Sequence, residues 1–207
     1  MRSRSTAALA ALMCVAAIGC DSSGTGPAGT VPSLPASTTS SASAAPTTAK
    51  TDDQVDYSRL LLQPGDLSDN EDTFTEQSST PSGPDGLPGA SALFVNQDDT
   101  RAIADTIVIY PDAATATRTL RDALPAFGTT ITGATPRPVP VGTDGTMAVG
   151  MSKDGSKAAT LLLFTEGPAL VRLEFQSALG DVTTDQFVIN IGKMQQIALR
   201  TGLASAG

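Results

Sequence analysis

The chain has 207 residues, with 13 Lys and Arg against 21 Asp and Glu, and a net charge of −8. It contains two Cys but no His and no Trp. An imidazole base, proton shuttle or metal ligand is therefore excluded, and the acidic balance disfavours nucleic acid and anionic head groups as general partners.

The N-terminus opens with Arg2 and Arg4, followed by an apolar run from Thr6 to Ile18. This is the layout of a secretory signal peptide. The run is shorter than the about 20 apolar residues that a spanning helix needs. It ends in Ala17-Ile18-Gly19-Cys20, which resembles a bacterial lipobox, with Ala17 where the pattern usually has Leu. The resemblance implies cleavage before Cys20 and attachment of diacylglycerol to its thiol through a thioether. Two acyl chains suffice for stable anchoring, at about 0.8 kcal/mol for each buried CH₂. Cys14 leaves with the leader and Cys20 is consumed by lipid, so the folded part is expected to hold together by core packing without a disulfide.

Residues 21–52 are rich in Ser, Thr, Ala and Pro and show no hydrophobic periodicity. Such a segment buries too little area to offset its ordering entropy and reads as a disordered tether. A flexible coil of this length reaches roughly 30 Å. A single domain is expected over 53–207.

Val55 to Leu62 reads as a short helix or an extended lead-in, stopped by Pro64-Gly65. Asp66 to Glu76 is acidic, with Leu67 and Phe74 as its large apolar residues. Ser78 to Gly89 reads as an irregular surface loop. Ala90 to Val95 predicts a strand, and Asn96-Gln97-Asp98-Asp99 a turn. Arg101 to Tyr110 predicts a second strand, in which Ile103, Ile107 and Ile109 share one parity, interrupted by Asp105.

Asp112 is the expected N-cap of a helix carrying Ala116, Leu120, Ala123, Leu124 and Phe127, limited by Pro125. After the 133–142 connector, Met147, Val149 and Met151 alternate on a strand. Asp154-Gly155 suits a two-residue hairpin turn. Ala158 to Phe164 is a near-continuous apolar run, which implies a central strand buried on both faces. Ala169 to Gln176 alternates, with Val171, Leu173 and Phe175 on one side. The last helix begins near Thr183 or Thr184, with Asp185 in its first turn. It is expected to present Phe187, Ile191, Met194 and Ala198 on one face and to end at Gly202. Together these elements predict an α+β fold: an antiparallel sheet of about five strands with two helices packed on one face.

The motifs that the chain carries and lacks point away from an enzyme. No Gly-x-Ser-x-Gly elbow and no Ser-x-x-Lys pair occurs. Gly155-Ser156-Lys157 looks like the end of a phosphate loop, but it follows a hairpin turn and opens no helix. Asp66, Asp69, Glu71 and Asp72 lack the spacing and the glycine bend of an EF-hand, and read as a solvated loop. Asn96, Asp98 and Asp99 read as turn residues. No motif calls for a metal or cofactor. Met147 and Met151 would suit an irregular apolar ligand, but ordinary core packing is the favoured reading.

The lipobox, the tether and the high Ala and Thr content with few Lys make the chain resemble mycobacterial and related actinobacterial cell-envelope lipoproteins. Leu60-Leu61-Leu62 before Pro64-Gly65-Asp66-Leu67, and Ile109-Tyr110-Pro111-Asp112-Ala113-Ala114 leading into a helix, loosely resemble the extracytoplasmic sensor domains of mycobacterial kinases and their lipoprotein relatives. Those domains usually carry disulfides and Trp. The resemblance implies a protein anchored through Cys20 on the outer face of the cytoplasmic membrane. The expected function is non-catalytic binding of an extracytoplasmic ligand or protein partner. The alternative is an envelope carrier that holds an apolar or lipid molecule between sheet and helices.

Overall fold

The structure is a computed structural model that describes residues 55–69 and 72–204. The leader, Cys20 and the tether lie outside the described residues. So does Glu71.

Among the described residues the chain forms an eight-stranded antiparallel sheet with helices packed against it. The strands are β1 (Phe74–Thr80), β2 (Gly89–Asn96), β3 (Ala102–Ile109), β4 (Ile131–Thr132), β5 (Arg137–Pro138), β6 (Thr143–Ser152), β7 (Ala158–Glu166) and β8 (Ala169–Ser177). The helices are α1 (Pro64–Leu67), α2 (Ala113–Ala123), α3 (Phe127–Thr130) and α4 (Asp185–Ala204). Strand order is β1-β2-β3-β8-β7-β6-β4, with β5 also paired to β6.

The α+β class and the five main strands are as expected. The strand count is corrected upward by β1, β4 and β5. β1 occupies ground read as an acidic stretch and a loop. After Phe74 its residues are all exposed, so no alternation marks it. It is an edge strand fixed by backbone pairing to β2, with a bulge between Glu76 and Ser78. A bulged polar edge resists further strand addition.

The placement of helices on one face is also corrected. Ladder partners share a face, so register assigns every side chain. Met147, Leu162, Leu173 and Phe175 lie on one face, which α4 covers through Val188, Ile191 and Leu199. Ala148, Ala159, Leu161 and Leu163 lie on the other, which α2 and α3 cover through Leu120 and Phe127. β7 is therefore buried on both sides, as its continuous apolar run requires. Successive residues along one strand point to opposite faces of the sheet. A run that is apolar at every position needs two covers, and the two helices supply one each.

Local chemistry sets the ends of the elements. Asp112 caps α2 by accepting from the Thr115 N–H at 2.7 Å. The β6–β7 connection is longer than two residues. Gly155 takes φ +70, and Ser152 and Lys157 close the loop by Ser152 N–H to Lys157 C=O at 3.0 Å. Asp154 steers it through its side chain, which accepts from Ser152 Oγ at 2.6 Å and from the Ser156 N–H at 3.1 Å.

The buried stripe of α4 is shifted from the expected one. It runs along Val188, Ile191, Gly192, Gln195 and Leu199, with Phe187, Met194 and Ala198 at its margin. Gly202 lies inside the helix instead of ending it. A Cβ there would sit 2.2 Å from Leu60, and a Cβ at Gly192 would sit 2.6 Å from Leu162. Both glycines let the helix backbone approach its neighbours closely. No helix among the described residues is long and apolar enough to cross a membrane.

Candidate functional site: the open half of the sheet

α2 covers only part of its face. It lies over β6, β7 and the near end of β8, because the β3–α2 connection is short and carries the chain across β8. The same face of β2 and β3 is left uncovered. It presents Leu93, Val95, Ala102, Ala104 and Thr106, and Leu93 is 38% exposed. β8 adds a polar row of Arg172, Glu174 and Gln176. The sequence pattern shows why: β8 alternates strictly, so its outward residues are polar wherever no helix lies above them.

Two depressions mark this face and share Lys157, Glu174 and Gln176. One, of about 480 Å³, has Leu93, Val95, Ala102 and Ala104 among its lining residues. The other, of about 720 Å³, runs between Thr129-Thr130 and the Ser152–Lys157 loop. Together they form one groove across β8, apolar at one end and rich in hydroxyls at the other.

The polar groups of the groove are ordered. Arg172 Nη2 donates to Glu174 Oε2 at 2.5 Å, and Gln176 Nε2 donates to Glu174 Oε1 at 2.8 Å. Asp154 is fully engaged by Ser152 and Ser156, whose hydrogen bonds hold its carboxyl down at about 2. Lys153 and Lys157 are exposed and form no ion pair with the described residues. They are thus available to a ligand, alongside hydroxyl, amide and carboxylate groups in fixed positions.

A second, smaller cavity of about 170 Å³ lies between the start of β3 and the N-terminal end of α4. Phe74, Ile103, Phe175 and Phe187 line it, the last two rings edge to face at 6.2 Å. Arg101 bridges its mouth, with Nε 3.1 Å from Asp72 and Nη2 2.7 Å from Asp181. Pockets for small molecules run to about 300 Å³ and above, so this one is undersized. Its ion pairs act as a clamp that joins the segment before β1 to the loop before α4.

The carboxylates singled out in the sequence are occupied locally. Asp66 accepts from the Gln63 N–H at 2.8 Å, and Asp69 from the Asp72 N–H at 2.8 Å. Asn96 is buried and organises its turn, accepting from the Thr100 and Arg101 N–H groups at 2.9 Å. Asp98 and Asp99 stay exposed in that turn. Among the described residues no group of three or more acidic or Cys side chains is arranged to hold a metal. Met147 is fully buried in the core and Met151 is 42% exposed, so the two do not line one pocket.

Asp105 is the residue whose importance the pattern understated. It appears in the sequence as a break in an isoleucine stripe, and the structure buries it completely on the α4 face. Its Oδ2 accepts from the Leu62 N–H at 3.1 Å, while Oδ1 has no partner. Burial raises its carboxyl to about 7, opposed only by that hydrogen bond. The signal was its parity: a charged residue in phase with Ile103, Ile107 and Ile109 must face the core.

No protein-family model, curated protein or solved structure matches the chain.

Proposed function

We propose that the protein is a non-catalytic, lipid-anchored binding module of the cell envelope, held at the outer face of the cytoplasmic membrane through Cys20. Its folded domain binds a polar envelope ligand along the groove on the open half of the sheet. The observation that carries this reading is the uncovered face itself. An antiparallel sheet commonly leaves one face to solvent with polar side chains on it, but the open half here sets the apolar Leu93, Val95, Ala102 and Ala104 beside an ordered row of polar side chains. The close seating of α4 at Gly192 and Gly202 favours a surface module over a carrier with an apolar molecule beneath that helix.

Two measurements test it. For the anchor, Cys20→Ala should move the protein from the membrane fraction to the soluble fraction or stall its processing. A variant that stays membrane-bound with the wild-type processed mass would remove the lipoprotein reading. For the groove, the native protein should be retained on purified cell-wall material. Lys157→Glu and Leu93→Glu should each lower retention by about tenfold or more, with stability changed by only about 0.5 kcal/mol, as for ordinary surface substitutions. Unchanged retention in both variants would show that the open face is not the binding surface.

A further inference from the structure

The described residues open on a strap. A 3-10 turn at Ser58–Leu60 leads into extended Leu61, and the strap inserts Leu60, Leu61 and Leu62 into the core at 1, 5 and 2% exposure. Two buried polar side chains hold its backbone. Asp105 on β3 accepts from the Leu62 N–H at 3.1 Å, and Gln195 on α4 donates from Nε2 to the Leu60 carbonyl at 2.8 Å. Both side chains are 0% exposed. Each also keeps one oxygen with no partner, Asp105 Oδ1 and Gln195 Oε1. An unpaired buried acceptor costs about 1–3 kcal/mol, and more if it is charged.

We propose that the Leu60–Leu62 strap is a latch governed by the protonation of Asp105, seated while the carboxyl is neutral and released when it ionises. A proton on Asp105 removes a buried charge and turns one orphan acceptor into a donor. Ionisation leaves a bare carboxylate among Ala92 on β2, Leu173 on β8, Ile103 and Ile107 on its own strand, and Leu62 above. Apart from the Leu62 N–H, none of these can solvate it.

No charge nearby offsets that cost. On the strap, Arg59 turns its guanidinium to the Gly202 carbonyl at 3.1 Å. On α1, Asp66 turns to the Gln63 N–H. On β8, Arg172 and Glu174 lie on the opposite face. On α4, Lys193 is exposed, and Arg200 pairs with Glu166. Burial raises the carboxyl to about 7, which places the transition near neutral pH.

Water reaches the ionised carboxylate most cheaply if the strap lifts. Opening the sheet would break ladder bonds on both sides of β3, whereas the strap is held to the rest of the fold by three leucines and three hydrogen bonds, the third from Arg59 to the Gly202 carbonyl. Its release would free the stretch from Val55 to Gln63, roughly 30 Å of extended chain at about 3.3–3.6 Å per residue. It would also bare an apolar slot beside α4. The latch thus couples pH outside the membrane to the reach of the domain.

Hydrogen exchange on the full-length lipidated protein tests this, read at about pH 5 and about pH 9 with intrinsic rates corrected. The Leu61 and Leu62 amides should lose protection by about tenfold or more at the higher pH, and at both pH values they should exchange well ahead of the β7 and β8 amides. Asp105→Asn should abolish the strap's pH dependence. Gln195→Met, which removes the hold without the carboxyl, should speed strap exchange by the same factor at both pH values. The proposal is overturned if strap protection follows β7 and β8 at both pH values. It is also overturned if Asp105→Asn keeps the wild-type dependence, or if Gln195→Met abolishes it.

Discussion

Unfolding free energy should fall by about 4 kcal/mol as pH rises from about 4 to about 7, and Asp105→Asn should flatten that slope. Burial raises the Asp105 carboxyl from 3.8 to about 7 in the folded chain. Below 3.8 both states carry the proton and the residue contributes no penalty. Between the two values the unfolded state has lost its proton while the folded state keeps it. Stability then declines by about 1.36 kcal/mol for each pH unit. Above about 7 the full penalty is present. Asparagine has the same shape and never ionises, so the variant should be more stable than the wild type at pH about 8, by about 2–4 kcal/mol. The gain stops short of the full penalty because the new amide must itself be buried. Asp56, Asp112 and Asp154 act in the opposite sense. Local hydrogen bonds hold their carboxyls below the ordinary value, so their stabilisation is lost only as pH falls below about 4. Denaturant unfolding of both proteins from pH about 4 to about 9 reads the difference directly. Parallel curves for wild type and Asp105→Asn would show that the carboxyl is solvated in the folded chain.

Leu161→Ala and Leu162→Ala should each cost about 2–5 kcal/mol, although the two residues are neighbours in sequence. Leu161 is 3% exposed under the α2 cluster, and Leu162 is 0% exposed under α4. A sheet with both helices on one face would leave one of the pair facing solvent, where truncation to Ala costs about 0.5 kcal/mol or less. The comparison therefore measures the two-sided cover of β7. The two costs should be close to additive, since the side chains point away from each other across the sheet and share no cavity. Equilibrium unfolding of the two single variants and the double variant checks both statements. A cost below about 1 kcal/mol at either position would mean that one face of β7 is not packed.

Much of the fold was legible from local pattern. The hairpin of β2 and β3, the alternation of β8, the Asp112 cap and the length of α4 rest on period, turn chemistry and capping, all written in adjacent residues. So was the central place of β7, because eight consecutive buried positions leave no polar side to expose. β1 was not legible. Its residues after Phe74 are exposed and polar, and its strand conformation comes from backbone bonds to β2 that no side-chain pattern records. The stripe on α4 moved by about one position because Gly192 and Gln195 face the core. A hydrophobic count scores neither, yet close approach to Leu162 selects the glycine, and the Leu60 carbonyl selects the amide.

The sequence by itself determined the class, the order of the main elements and the absence of any His side chain. Only the tertiary structure decided which face each helix takes, where the sheet stays open, and what Asp105 does. Those properties depend on which residues distant in sequence become neighbours. The groove exists because α2 ends its cover at β8, a consequence of strand order. Asp105 is perturbed because Leu62, 43 residues earlier, closes over it and excludes water. Local pattern shows that such a carboxyl faces inward, but only the packing around it sets the cost of its charge.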